Sequence, residues 1–240
     1  MGEMKEKKVL LVVSERGYTW DEVIYPYLEF QKRHWQVVFA TPTGGIPNVD
    51  PLSVEVRLFW NLFGFGTSKK VAPNSEKGKE MLAILRKPLD LRKARAADYD
   101  AIFVAGGHGA LFDLNKNIDL HRLILEFDNA RKPVGLLCHA SSVLAFMQKD
   151  GKPYLHDRRI TGFPTAWEHF VLKTGRVYKD FLPMPIWTGR EIDKAATRRS
   201  WFDRIMEVLN PWYTIQDKNL ITGVGPKTGS RLARIVAEYN

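Results

Sequence analysis

Along much of the sequence, short apolar runs alternate with segments of helical period. They cover residues 9–13, 20–32, 37–40, 102–105, 120–131, 134–138 and 142–147 in turn. Apolar runs without polar alternation belong to strands covered on both faces. Helical segments between them supply right-handed crossovers, so the order predicts an α/β fold with a parallel sheet between helices. Leu220-Ile221-Thr222 predicts a last strand, and Leu232, Ile235, Val236 and Tyr239 share one face of a closing helix. A chain of 240 residues that is 45% apolar builds a sizeable core, and we expect a single domain over residues 1–240. Two aromatic-rich stretches, roughly 42–98 and 171–213, interrupt the alternation and read as insertions. Their aromatics suit packing in a small subdomain, with a lid or a dimer interface as the alternative.

Composition removes several classes of function. A charged share of 26% beside 12% aromatics speaks against both disorder and a membrane protein. One cysteine, Cys138, forms no internal disulfide, which fits a reducing compartment, and we expect a cytoplasmic protein. The apolar run at 9–13 is too short for a signal peptide, Glu6 stands where a myristoylation site wants Ser or Thr, and no membrane association is expected. The formal charge of +9 is scattered in pairs such as Lys69-Lys70, Arg158-Arg159 and Arg198-Arg199. No zinc-finger spacing or basic repeat accompanies it, so specific nucleic-acid binding is not expected.

In open α/β sheets, ligands bind beyond the carboxyl ends of the strands, and three segments share that position. Residues 9–13 lead toward Glu22, residues 102–105 lead into Gly106-Gly107-His108-Gly109, and residues 134–137 lead into Cys138-His139. A cysteine on a sharp strand-to-helix turn gains from the helix N-terminus, which lowers the thiol pKa and offers amides to an oxyanion. Free cysteine is also among the most buried and inert residue types, and GLLCHA alone leaves both readings open. Gly107 offers a second oxyanion N–H. Thr19-Trp20-Asp21-Glu22 matches a capping box that would turn Glu22 back to the Thr19 amide. A helix starting at Pro26 would instead leave Glu22 on the turn before it, facing the cleft. His139 is the best base for Cys138, and Glu168 is a candidate to orient it. Phe112 stands where a dinucleotide fingerprint needs its third glycine, and Ile221 where a phosphate loop needs its first, so NAD and ATP sites are not expected. The histidines and single cysteine show no metal-ligand spacing.

The segments EVIYPYLEFQKRHWQVVFATPTGG, DYDAIFVAGGHGALFDL, GLLCHA, RRITGF with Glu168 five residues after Phe163, and LITGVGPKTG follow one another in a familiar order. Together they resemble the ThiJ/PfpI superfamily (class I glutamine amidotransferase-like), and within it the heat-shock glyoxalase III and deglycase branch. The resemblance implies a flavodoxin-like three-layer sandwich with Cys138 as nucleophile, His139 beside it, Glu168 orienting the histidine and Glu22 touching the thiol. Gly107 and the amide of His139 would form the oxyanion hole. The implied activity is cofactor-independent conversion of methylglyoxal to lactate, of the D-lactate dehydratase (hydro-lyase) type, also described as deglycation. Gly106, His108 and Trp60 are expected to line the substrate pocket, with Phe59, Phe63 and Phe65 over it. The branch carries Gly-Pro after Cys-His, whereas this chain has Ala140-Ser141; a methyl group is tolerated there only if residue 140 needs no positive φ. The other readings are a Cys-His-Glu amidase or peptidase, and a redox-sensing or holdase protein. A small aldehyde is the expected substrate and a homodimer the expected assembly.

Overall fold

The computed structural model describes residues 6–55 and 67–239. Its strands are β1 (Lys8–Val12), β2 (Gln36–Thr41), β3 (Leu89–Asp90), β4 (Ala101–Val104), β5 (Val134–Leu137), β6 (Gln148–Lys149), β7 (Lys152–Pro153), β8 (Thr214–Asp217) and β9 (Leu220–Gly223). Seven of them form one sheet in the order β3-β2-β1-β4-β5-β9-β8. All neighbours are parallel except the terminal hairpin of β8 and β9, while β6 and β7 make a separate short hairpin. The direction of strand addition reverses at β1 and β4, which opens a crevice at their carboxyl ends.

The helices are α1 (Asp21–Lys32), α2 (Glu76–Leu85), α3 (Ala110–Asp113), α4 (Ile118–Asn129), α5 (Thr165–Lys173), α6 (Thr188–Ala195), α7 (Trp201–Leu209) and α8 (Gly229–Ala237). Strand side chains alternate between two apolar layers, as a sheet covered on both faces requires. Val9 and Leu11 pack with Ile24, Tyr27, Phe30, Leu232 and Val236 from α1 and α8. Leu10 and Val12 pack with Leu123, Ile124 and Phe127 from α4 on the other face. The fold is the expected mostly parallel α/β sandwich of three layers. Part of the stretch read as the first insertion belongs to the main sheet, because β3 pairs with β2.

Two local expectations are corrected. Helix α1 runs through Pro26 instead of starting there, so Glu22 is its second residue and not part of a preceding turn. Pro26 lies inside the helix, its sixth residue of twelve, where it removes one intrahelical bond, and its ring packs on Gly229 of α8. The capping box is not formed either: the helix N-cap is Trp20, without a side-chain cap bond. Residues 142–147 do continue a helical segment, but as part of a 3₁₀ helix over Cys138–Phe146.

Helix α7 is inverted. Its Asp203 and Glu207 are buried, while Trp201 is 74% and Leu209 72% exposed. Asp203 accepts from Arg159 at 2.5 and 3.0 Å and from the Tyr213 hydroxyl at 2.6 Å, and Glu207 is paired with Arg199. Arg199 also meets Asp193 of α6 at 2.5 Å, so α7 is held to the body through charges. Among the described residues, no helix is long and apolar enough to cross a membrane.

Candidate active site

β5 ends in a fully buried VGLL and delivers the chain to Cys138 at φ 59°. A left-handed backbone at a non-glycine residue is strained, and here the 3₁₀ helix that begins at Cys138 holds it in place. Ala140 is not among the positive-φ residues, so its methyl group is accommodated. The strain falls two residues earlier, on the cysteine itself.

Glu22 reaches the same point from α1. Its Oε2 accepts from the Gly106 amide at 3.0 Å, and a Cβ on Gly106 would stand 2.6 Å from that oxygen and 3.1 Å from Cys138 Cβ. Only glycine at the end of β4 lets the carboxyl and the cysteine approach so closely. Gly107 follows at φ 107°, packed over the backbone of Tyr18 and Thr19, and His108 comes next. The loop expected to supply Gly106, Gly107 and His108 therefore lies against Glu22 and Cys138.

The Cys138 Sγ lies 3.3 Å from His139 Nδ1, and His139 Nε2 lies 3.9 Å from Glu168 Oε1. The imidazole is stacked on Phe163 at 4.3 Å and tilted against His108 at 4.7 Å. Glu168 in turn accepts from the Thr188 amide, the first of α6, at 2.7 Å. Glu22 and Glu168 are fully buried, and Cys138 and His139 are 2% and 3% exposed. The four expected catalytic side chains are thus brought together. Trp60, Phe59, Phe63 and Phe65 lie outside the described residues.

Burial governs the electrostatics. It pushes Glu22 up to about 8, against the pull of Cys138 and the Gly106 amide. It pushes Glu168 up to about 7, against the Thr188 amide and hydroxyl. Burial, with His108 nearby, holds His139 well below 6.5, so its imidazole is neutral. Burial also raises the Cys138 thiol well above 9.0; an ionised Glu22 adds to this and the His139 amide opposes it. The expected helix-end depression of the thiol is therefore outweighed by desolvation. At neutral pH Glu22 carries its proton, which removes its charge from the thiol's surroundings. The resting site is a neutral thiol, imidazole and carboxyl, able to pass one proton among themselves.

Sequence reasoning missed the segment that closes the cavity. Asp50 caps the 3₁₀ turn Pro51–Val54 by accepting from the Leu52 amide at 2.9 Å, and Asp50, Ser53 and Arg176 line the cavity with Glu22, His108 and Cys138. The signal was present as Asp-Pro, a capping residue followed by proline at the first helical position. About 40 Å³ of this cavity is open to the centre of a water molecule, room for a few water-sized groups. Among the described residues no cluster of three or more His, Cys, Asp or Glu is arranged to hold a metal ion.

Known proteins are similar to this chain over nearly its whole length. Glyoxalase 3 of Candida albicans is 28% identical over 220 residues, covering 90% of this chain and 86% of that protein. The glutathione-independent glyoxalase HSP31 of Saccharomyces cerevisiae is 26% identical over 246 residues, covering 96% of each. The crystal structure of glyoxalase III from Candida albicans superposes with a TM-score of 0.70 at 23% identity, over 98% of both chains, which shows the shared fold. The family model described as DJ-1/PfpI matches residues 7–239. With the elbow at Cys138 and the sheet order in place, the chain belongs to the DJ-1/PfpI family.

Proposed function

We propose that this protein converts small 2-oxoaldehydes such as methylglyoxal into 2-hydroxy acids without a cofactor or a thiol cosubstrate, as a hydro-lyase of the D-lactate dehydratase type. One observation carries the reading: a carboxyl raised to about 8, Glu22, is fixed by the Gly106 amide against Cys138 in a small, buried cavity. A general base that works on carbon needs a pKa near the operating pH, and an ordinary surface glutamate does not have one. The names of the glyoxalase relatives support the same substrate class.

Cys138 adds to the aldehyde carbon C1, and its proton passes through His139 Nδ1 to the new C1 oxygen, giving a hemithioacetal. Amides at Gly107 and His139 hold that oxygen while charge develops on it. Ionised Glu22 takes the C1 proton, C1=C2 forms and the C2 carbonyl becomes an enediolate oxygen. Net transfer of the O1 proton to the C2 oxygen and return of the proton on Glu22 to C2 leave a thioester, which water cleaves to the hydroxy acid and the free Cys138 thiol. Glu168 keeps the Nε2–H tautomer of His139, so that Nδ1 presents its lone pair to the thiol.

The test is lactate formation from methylglyoxal by wild type and Cys138→Ala, without added thiol or metal. We expect turnover by wild type alone, and loss by on the order of 10⁴-fold or more in the variant with its melting temperature kept. Equal lactate from both proteins would overturn the reading. The Cys138–His139–Glu168 line also favours a second reading, an amidase or peptidase, for which Glu22→Gln would retain hydrolysis.

A further inference from the structure

We propose that His108, positioned by Asp50, is the catalytic acid that protonates the C2 oxygen of the substrate as the enediol forms; the inference rests on the 2-oxoaldehyde reading above. The chemistry calls for such a group. Removal of the C1 proton drives an electron pair into C1=C2 and onto the C2 oxygen, and the oxyanion amides already serve the C1 oxygen. Glu22 is occupied with carbon. His139 directs Nδ1 to the sulfur and Nε2 toward Glu168. His108 lines the same cavity with its ring 4.7 Å from that of His139.

Its surroundings distinguish it from a packing histidine. His108 is 8% exposed, yet neither ring nitrogen has a hydrogen-bond partner among the described residues. Half-buried His121, by contrast, meets the Asn115 carbonyl at 2.8 Å through Nε2. A buried polar group left unpaired costs stability unless a ligand completes it. His108 Nδ1 lies 3.5 Å from Asp50 Oδ2, while Asp50 Oδ1 is fixed by the Leu52 amide at 2.9 Å. Asp50 is a positioning residue: as the countercharge of the His108 imidazolium it holds Nδ1–H and leaves Nε2–H, the proton that is donated, directed to the cavity. Stacking on Phe181 at 5.7 Å and 22° holds the plane of the ring. The protons balance: His108 donates to the C2 oxygen, and the proton lost from the C1 oxygen as the thioester carbonyl forms returns to His108 through solvent.

The test compares His108→Leu, His108→Gln and Asp50→Asn with wild type for kcat and KM on methylglyoxal, and for the alkylation rate of Cys138 by iodoacetamide. His108→Leu is expected to lower kcat by about 10²–10⁴-fold with KM and alkylation little changed, because the lost interaction exists only in the transition state. His108→Gln, which keeps an N–H donor, retains more of kcat than Leu, and Asp50→Asn falls between Gln and wild type. Full kcat in His108→Leu, or alkylation falling in step with kcat in both His108 variants, would overturn the proposal and leave the oxoaldehyde reading standing. A wild type that makes no hydroxy acid would overturn both.

Discussion

The cavity at Cys138 and the ground beneath α7 both bury ionisable groups, and they treat them in opposite ways. Beneath α7 each buried charge faces a countercharge: Asp203 meets Arg159, and Glu207 meets Arg199, which also meets Asp193. Arg159 holds the Asp203 carboxyl well below the usual carboxylate range, which is the signature of a structural pair, while burial raises the Glu207 carboxyl against the opposing pull of Arg199. In the cavity Glu22 Oε1, His139 Nε2, Glu168 Oε2 and both nitrogens of His108 have no hydrogen-bond partner among the described residues. Desolvation there outweighs the single amide that each carboxyl accepts from, and Glu22 and Glu168 rise toward neutral pH. Charges paired with each other hold helices in place; groups denied partners are kept available for a substrate.

The sharpest way to break this contrast is Glu22→Gln. It is expected to cost about 10²–10⁴-fold in kcat and at the same time to stabilise the fold at alkaline pH. In the fold Glu22 keeps its proton to about 8, against 4.5 when unperturbed, so the native state binds more protons and loses stability as pH rises from 4.5 through 8. Glutamine does not ionise. The variant's advantage in stability, read by thermal unfolding, should grow across that interval by roughly 1.4 kcal/mol for each pH unit, to a total of a few kcal/mol. An advantage that stayed flat with pH would refute the assignment.

Glu207→Ala should do the reverse. It leaves Arg199, 3% exposed, short of one countercharge, at a cost of about 3 kcal/mol. The melting temperature should drop by roughly 2–4 °C for each kcal/mol, while kcat at room temperature holds. A large loss of kcat with unchanged melting would place the pair in the catalytic machinery. The smallest effect belongs to Trp201→Ser on the outer face of α7, within about 0.5 kcal/mol of wild type, since the helix is held by its charged side. Destabilisation well beyond that, read by thermal unfolding, would show that the apolar face is partnered within the chain.

What could be read from the sequence follows the same division. The central strands were legible because strands buried on both faces leave uninterrupted apolar runs, such as VLLV in β1 and AIFV in β4. β3 is two residues long, and β8, TIQD, is an edge strand of mixed burial; neither leaves such a run. At α7, aromatic residues suggested inward packing, but their positions face outward, because ion pairing placed Asp203 and Glu207 inside. At the site, the position of Cys138, His139 and Glu22 followed from strand ends. Glu168 was a candidate to orient His139 that the resemblance then singled out, and Asp50 went unseen because its loop reaches the cavity only through tertiary packing.

The most direct measurement is the titration of Glu22 itself, by the infrared carbonyl band of its protonated carboxyl, identified by its absence in Glu22→Gln. We predict a band present at pH 6 that is lost near pH 8, alongside a limb in kcat/KM that rises over the same interval. A Glu22 already ionised at pH 6, titrating near its unperturbed 4.5, would contradict the central claim that burial raises this carboxyl into the range of a base for carbon.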